Sequence, residues 1–248
     1  MRPPPFGRYT IRNLLLDRNR EALLNYSSVP VPLRDIPWTR RSLYRGVSVF
    51  REGDRAELIY FLDDGLVKLS RDVESHRKTI VRLVRPGELI GDRSLNGVAT
   101  QKYTAEALSD CVCWEVSQLQ FQEVCNSSAP ALAWVTEQVE KRLAEVERRI
   151  ELISFARVEI RLLALLSDLA EASVSPLDPR TENIHIPLSQ SEIAQLIGAT
   201  RETASTTLNQ FERRGLLRLG RRQVEVVSIQ ALREAAAVRD NRAAGAHA

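Results

Sequence analysis

An arginine and a glutamate stand side by side at the head of a helix-like stretch, "GATRETASTTLNQFERRG", residues 198–215. Those two side chains suit base reading: an arginine forks onto guanine O6 and N7, and a glutamate accepts from cytosine N4. Behind them, Thr203–Thr207 carries four hydroxyls in five residues. Ser and Thr compete with the helical backbone, so a helix kept only for packing has little use for them. Short hydroxyl side chains would instead let the helix approach a duplex closely and bond its phosphates, which set register while base contacts specify sequence. Arg201 and Glu202 are therefore the expected base readers, and Thr200, Thr203, Ser205 and Thr207 the expected phosphate anchors. Ser189, Gln190 and Ser191 at the start of the preceding helix, and Arg221 and Arg222 further on, complete the expected DNA contacts; the two arginines would add salt-dependent phosphate affinity.

These residues need a scaffold, and "PLSQSEIAQLIGATRETASTTLNQFERRGLLRLGRRQVEVVS" (187–228) supplies one. Ser189 and Glu192 have the spacing of a capping box. Ile193, Ala194, Leu196 and Ile197 form an apolar face. Gly198 suits a left-handed helix end, and Thr200 can cap the next helix. Ala204, Leu208 and Phe211 mark that helix's buried side, and Gly215 ends it. "LLRLGRRQVEVV" folds back as two short strands. Helix, turn, helix and hairpin in this order make a winged helix-turn-helix.

The chain has 248 residues, 44% hydrophobic and 27% charged, which is ordinary globular composition and room for two domains. No apolar run reaches membrane-spanning length, no secretory signal opens the chain, and three cysteines do not make a disulfide framework. A cytoplasmic protein is expected. The net charge of +3 is unevenly spread: residues 1–46 carry +6 and 200–222 carry +4, while 47–199 carry −7. A basic cluster against an acidic middle fits a local phosphate-contacting patch. Residues 1–40 hold six of the eleven prolines and read as a partly ordered basic extension. Residues 41–128 are strand-rich, with Asp63–Gly65 a hairpin signal and Pro86-Gly87 a turn, and suggest a small antiparallel barrel or sandwich. At 129–155 the period changes. Leu132, Val135, Val139, Leu143, Val146, Ile150 and Ile153 make the narrow stripe of an amphipathic helix about 40 Å long. A stripe that narrow on a helix that long is expected to pair with its own copy. A second helix (156–173) and a polar loop lead into the winged helix-turn-helix, 156–232, and a short tail, 233–248. The domain boundary falls near Phe155. The fold class is α+β.

The order of strand-rich domain, long helix and "SQSEIAQLIGATRETASTTLNQFERRGLL" resembles the cyclic-AMP receptor protein/fumarate-nitrate regulator (CRP/FNR) family of bacterial transcription factors. "SVFREGDRAELIYFLDDGLVKL" and "RPGELIGDRSL" extend the resemblance to roughly residues 41–230. It implies a cyclic-nucleotide-binding-like β-barrel as sensor, a homodimer through the long helix, double-stranded DNA with a partly palindromic site, an effector pocket and contact with RNA polymerase. Departures from the family pattern are informative. Its recognition helix reads Arg-Glu-x-x-x-Arg, and the last position here is Thr206, so the half-site is expected to differ from, or be more relaxed than, TGTGA or TTGAT. Its pocket glutamate corresponds to Asp92, beside Gly91, and its phosphate-binding Arg-Ser pair to Gln101-Lys102. Losing that arginine removes the fork suited to a buried phosphate, so another small effector, or none, is expected in place of cyclic AMP. Cys111, Cys113 and Cys125 are too few for a four-cysteine cluster and are expected to pack, with redox sensing the minor alternative. His76, His185 and His247 have no metal-ligand spacing, so no metal is expected. The sequence contains no nucleophile-base pairing, phosphate-binding glycine loop or metal motif, and an enzyme is not expected. A signalling-nucleotide module whose helix-turn-helix serves protein interaction is the alternative.

Overall fold

The computed structural model describes residues 29–73, 77–92, 100–173 and 182–244. Most of the N-terminal extension (1–28), His76, His247 and the end of the tail lie outside them. The chain enters through a short 3-10 helix, Val31–Leu33, and builds eight strands: β1 (Thr39–Leu43), β2 (Ser48–Phe50), β3 (Leu58–Asp64), β4 (Val67–Val73), β5 (Arg77–Val84), β6 (Leu89–Ile90), β7 (Thr104–Ala107) and β8 (Cys111–Ser117). They form two four-stranded antiparallel sheets, ordered β1-β8-β3-β6 and β2-β7-β4-β5, a jelly-roll-like sandwich rather than a closed barrel.

The alternation in β3 shows why this packs. Tyr60 and Leu62 point between the sheets with Phe50, Val67, Val84 and Cys113, while Ile59 and Phe61 point to the opposite face. That second face is covered by α1 (Gln118–Ser127), through Phe121 and Cys125, and by the start of α2 (Ala129–Phe155). Trp38 packs edge-on to Phe121 at 5.9 Å, and Phe61 lies 6.3 Å from Trp134.

One expectation about the strands does not hold: Asp63–Gly65 does not close a hairpin, because β3 and β4 belong to different sheets. Pro86-Gly87 is a turn as expected, and it carries the chain from β5 to β6 in the other sheet. At Gly65 (φ +97°) the chain crosses the sandwich so close to Asp110 and Cys111 that a Cβ would meet both at 2.5 Å. Turn chemistry marks a reversal; it does not say whether the next strand returns to the same sheet. The β4–β5 pair is a true hairpin, from Val67 opposite Val84 to Val73 opposite Arg77.

Helix α2 is 27 residues long and stops at Phe155, as its stripe predicts. Ala156 and Arg157 are extended, and α3 (Val158–Ala172) follows as a separate helix. Beyond it come β9 (Glu182–Ile186), α4 (Gln190–Leu196), α5 (Arg201–Arg213), β10 (Leu217–Gly220), β11 (Gln223–Ser228) and α6 (Ile229–Ala244). The sheet β10-β11-β9 is the wing. Strand β9 lies in the stretch read from sequence as loop; it is held there by pairing with β11.

Leu66, Ile80, Leu83 and Leu108 of the sandwich join one hydrophobic cluster with the cores of α3, α4 and α5. The sensor and reading units are thus docked on each other.

Candidate nucleic-acid interface and effector cavity

The caps that start both helices of the reading unit form as their residue types require. Ser189 Oγ accepts from the Glu192 amide, and the Glu192 carboxylate accepts from the Ser189 amide at 2.9 Å. Thr200 Oγ1 accepts from the Thr203 amide at 3.2 Å, and Gly198 takes φ +61° between the helices. Ala204, Leu208 and Phe211 bury the inner side of α5, which leaves Arg201, Glu202, Thr203 and Thr206 exposed on one outward face. The Glu202 carboxyl is held below its usual range by its own backbone amide and by the Thr200 hydroxyl, which keeps it an acceptor. Ser205 is half-buried.

Thr207 departs from its expected role. It is 5% exposed, and its hydroxyl donates to the Thr203 carbonyl at 2.8 Å, so it is turned into the core and cannot anchor a phosphate. Its place in the 3.6-residue period, beside Leu208 and three beyond Ala204, carries that signal. The Ser189 hydroxyl is likewise committed to the helix cap, and Gln190 and Ser191 are half-buried beside it. At the wing tip Arg221 and Arg222 are exposed, Arg222 with a left-handed φ of +58°. The Arg222 carbonyl accepts from Arg45 Nη2 of the sensor unit at 2.9 Å.

Along α2, the expected stripe splits. Leu132, Val139, Leu143, Val146, Ile150 and Ile153 are 44–60% exposed and run down one side. Val135 instead packs with Trp134 against the chain's own sandwich, so it is not part of that outer face.

Between the sandwich, α2, α3 and α4 lies a cavity of about 350 Å³. Gly91, Asp92, Gln101 and Lys102 all line it, as expected. Arg142, Arg149 and Arg161 line it too and escaped the sequence reading. Arg142 Nη1 bonds Asp92 Oδ2 at 2.5 Å, with side chains only 20% and 10% exposed. A guanidinium from α2 thus occupies the Asp92 carboxylate. Burial lowers the pKa of Arg82 and of Arg149. The signal for Arg142 and Arg149 was their seven-residue spacing on the side of α2 that carries Gln138 and Leu152 toward the sandwich.

Besides the Arg45–Arg222 bond, further polar contacts tie the sandwich to the reading unit and to α2. Lys68 Nζ lies between Glu106 Oε1 at 3.0 Å and Glu192 Oε1 at 2.9 Å. Burial works to lower the Lys68 pKa, and the two carboxylates outweigh it and raise it. Gln195 Oε1 accepts from the Ile80 amide at 3.1 Å, and Arg149 Nη1 donates to the Val81 carbonyl at 2.8 Å. Both groups belong to β5, the edge strand, so these bonds satisfy an edge that would otherwise be open. Among the described residues no helix is long and apolar enough to cross a membrane, and no cluster of three metal-ligating side chains occurs.

Comparison with known proteins agrees with this architecture. Residues 40–128 match the family model of the cyclic nucleotide-binding domain, and residues 160–235 that of the Crp-like helix-turn-helix domain. The transcriptional regulator SdrP of Thermus thermophilus is 30% identical over 195 residues, 78% of this chain and 89% of that protein. The CRP-like protein Clp of Xanthomonas euvesicatoria is 27% identical over 184 residues, 72% and 79% of the two chains. Among solved structures, a CRP/FNR-family transcriptional regulator from Thermus thermophilus superposes with a TM-score of 0.63 at 27% identity, covering 80% of this chain and 98% of that one. The c-di-GMP responsive global regulator CLP of Xanthomonas campestris does so at 0.61 and 25%, covering 77% and 94%. With a sensor sandwich, a long helix and a winged helix-turn-helix in this order, the chain belongs to the CRP/FNR family of DNA-binding transcription regulators.

Proposed function

We propose that the chain acts as a homodimer that reads a partly palindromic DNA site with α5, under control of a small effector in the interdomain cavity. The outward face of α5 carries this reading: Arg201, Glu202 and Thr206 are exposed together on the side away from the core. Arg201 reads a guanine and Glu202 a cytosine, while Thr200, Thr203, Ser205 and the wing residues Arg221 and Arg222 contact phosphates. Thr206 is too short for a bidentate guanine contact and meets a thymine methyl or a phosphate, which relaxes that position of the half-site. The exposed stripe on α2 is the dimer seam, and family membership supports contact with RNA polymerase and a cytoplasmic location.

Cyclic AMP does not suit the cavity. Asp92 is paired with Arg142, and Gln101-Lys102 offers no guanidinium for the cyclic phosphate. An anionic effector of another kind fits the arginine-rich lining, and the c-di-GMP responsiveness of the similar Xanthomonas campestris regulator supports that class. The test of the DNA reading is a binding-site selection with wild-type protein and with Thr206→Arg. The variant should recover a guanine preference that the wild type lacks at one position of each half-site. An unchanged consensus would overturn the assignment.

A further inference from the structure

The cavity is lined by seven cationic side chains and three carboxylates. Each carboxylate is already taken: Asp92 by Arg142 at 2.5 Å, Asp168 by Arg148 at 2.6 Å, and Glu145 by Arg85 at 3.6 Å. Arg82 is paired with Glu88 at 2.7 Å. Among the described residues this leaves Lys102, Arg149 and Arg161 with no carboxylate partner. Lys102 is exposed at the sandwich end. Arg149 and Arg161 stand at the opposite end, where the cavity meets α4.

What these two arginines hold is specific. Arg149 Nη2 donates to the Gln195 carbonyl at 3.3 Å, and Arg161 Nη1 to the Ile197 and Gly198 carbonyls at 2.8 and 3.1 Å. Those carbonyls close the C-terminal end of α4 and the turn into α5. They carry the partial negative charge of a helix end, and they are weak, neutral acceptors for two half-buried guanidiniums. Burial already pushes the Arg149 pKa down, which means its charge lacks compensation. The Nε of Arg161 is also buried without a hydrogen-bond partner. Leu152, Ile153, Leu165 and Leu196 give this end an apolar wall.

We infer that the effector's anionic group, a phosphate ester on an otherwise apolar or aromatic body, binds between Arg149 and Arg161 rather than at Gln101-Lys102. This rests on the reading of the cavity as an effector site. An oxyanion makes charge-assisted bonds that neutral carbonyls cannot match, so it draws both guanidiniums toward itself. The bonds it competes with are those that fix the turn in front of Arg201. Occupancy of the cavity is thereby transmitted to the recognition helix through two side chains, one of which, Arg149, also lets go of the Val81 carbonyl at the edge of the sandwich.

Isothermal titration of the full-length protein with cyclic AMP, cyclic di-GMP and inorganic pyrophosphate tests this, using wild type, Arg149→Gln, Arg161→Gln and Lys102→Gln. Circular dichroism checks that each variant folds, and Arg149→Lys provides a charge-retaining control. At least one probe should bind the wild type. Its affinity should fall about tenfold or more in Arg149→Gln and Arg161→Gln, recover in part in Arg149→Lys, and change by less than roughly threefold in Lys102→Gln. A loss confined to Lys102→Gln, or a bound probe indifferent to both arginines, overturns the inference and leaves the effector reading standing. No binding of any probe at about 1 mM overturns both. DNA binding without probe, followed by fluorescence anisotropy, reports separately on the reading of α5.

Discussion

Replacing Lys68 with methionine removes a charge from the joint between sensor and reader while keeping the length and apolar stem of the side chain. Lys68 and Glu192 are 13% and 10% exposed and 2.9 Å apart. At an effective dielectric of about 20 their attraction is ~6 kcal/mol, most of it offset by the desolvation of both groups. The cost of truncation is set by what remains: Glu106 and Glu192, two carboxylates brought to one cation and left with none. A loss of about 1–3 kcal/mol in docking follows, or roughly 5- to 150-fold in the opening equilibrium of the joint. The units should nevertheless stay together, because Leu66, Ile80, Leu83 and Leu108 still bury into the reader's core. Hydrogen exchange at the Ile80 amide, which is bonded to Gln195 across the joint, reads this local opening directly. Glu192→Gln is the partner change, since glutamine retains the capping box with Ser189. The two substitutions should be non-additive. If their effects on Ile80 protection add to within about 0.5 kcal/mol, Lys68 and Glu192 are not coupled and the tie does not exist in solution. The pH window follows from both shifts. The Glu192 pKa is depressed by Lys68 and Ser189, which outweigh its burial, so its contribution is complete above its ordinary 4.5 and lost as pH falls through the folded value. That of Lys68 is raised, so its contribution is complete below its ordinary 10.5 and lost as pH climbs through the folded value. The tie is therefore whole from about pH 5 to 10, and it is lost to protonation of Glu192 in acid and to deprotonation of Lys68 in base.

Ile150→Glu should abolish dimerisation without unfolding the chain. Ile150 is 60% exposed, so the single chain loses little, whereas burial at a two-fold seam counts twice and is worth about 3–6 kcal/mol; sedimentation that still shows a dimer would remove α2 from the interface. Native protein should resist iodoacetamide at pH 8, because burial pushes Cys113 up to about 12 and raises Cys111 and Cys125 as well. Rapid alkylation of Cys113 in folded protein would reopen a redox role for it.

How much of this could be read before folding depends on the range of the interactions concerned. The reading unit is local. Ser189 and Glu192 are three residues apart, Thr200 caps its own helix, and Gly198 and Gly215 sit where a left-handed backbone is needed, so the residues name their own conformations. The stripe of α2 and its end at Phe155 are equally local, because a helix displays its faces through spacing alone. The outward face of α5 was legible for the same reason, apart from Thr207, where a run of hydroxyls concealed the buried period.

The sandwich was legible as strands and not as a topology. Nothing near Asp63–Gly65 records that β4 leaves the sheet of β3, since pairing is settled by partners tens of residues away. Strand β9 exists because β11 lies beside it. The cavity between the sandwich and the helices is the extreme case. Asp92, Arg142, Arg149 and Arg161 come from a strand end and two helices, and only docking brings their charges together. The sequence by itself determined the helices, their caps, the outward face that carries Arg201 and Glu202, and the family, because each rests on contacts within a few residues. Tertiary structure alone decided which arginines face the cavity and which one occupies Asp92. It also set how Lys68, Gln195 and Arg149 tie sensor to reader, because burial and charge pairing belong to the assembled chain.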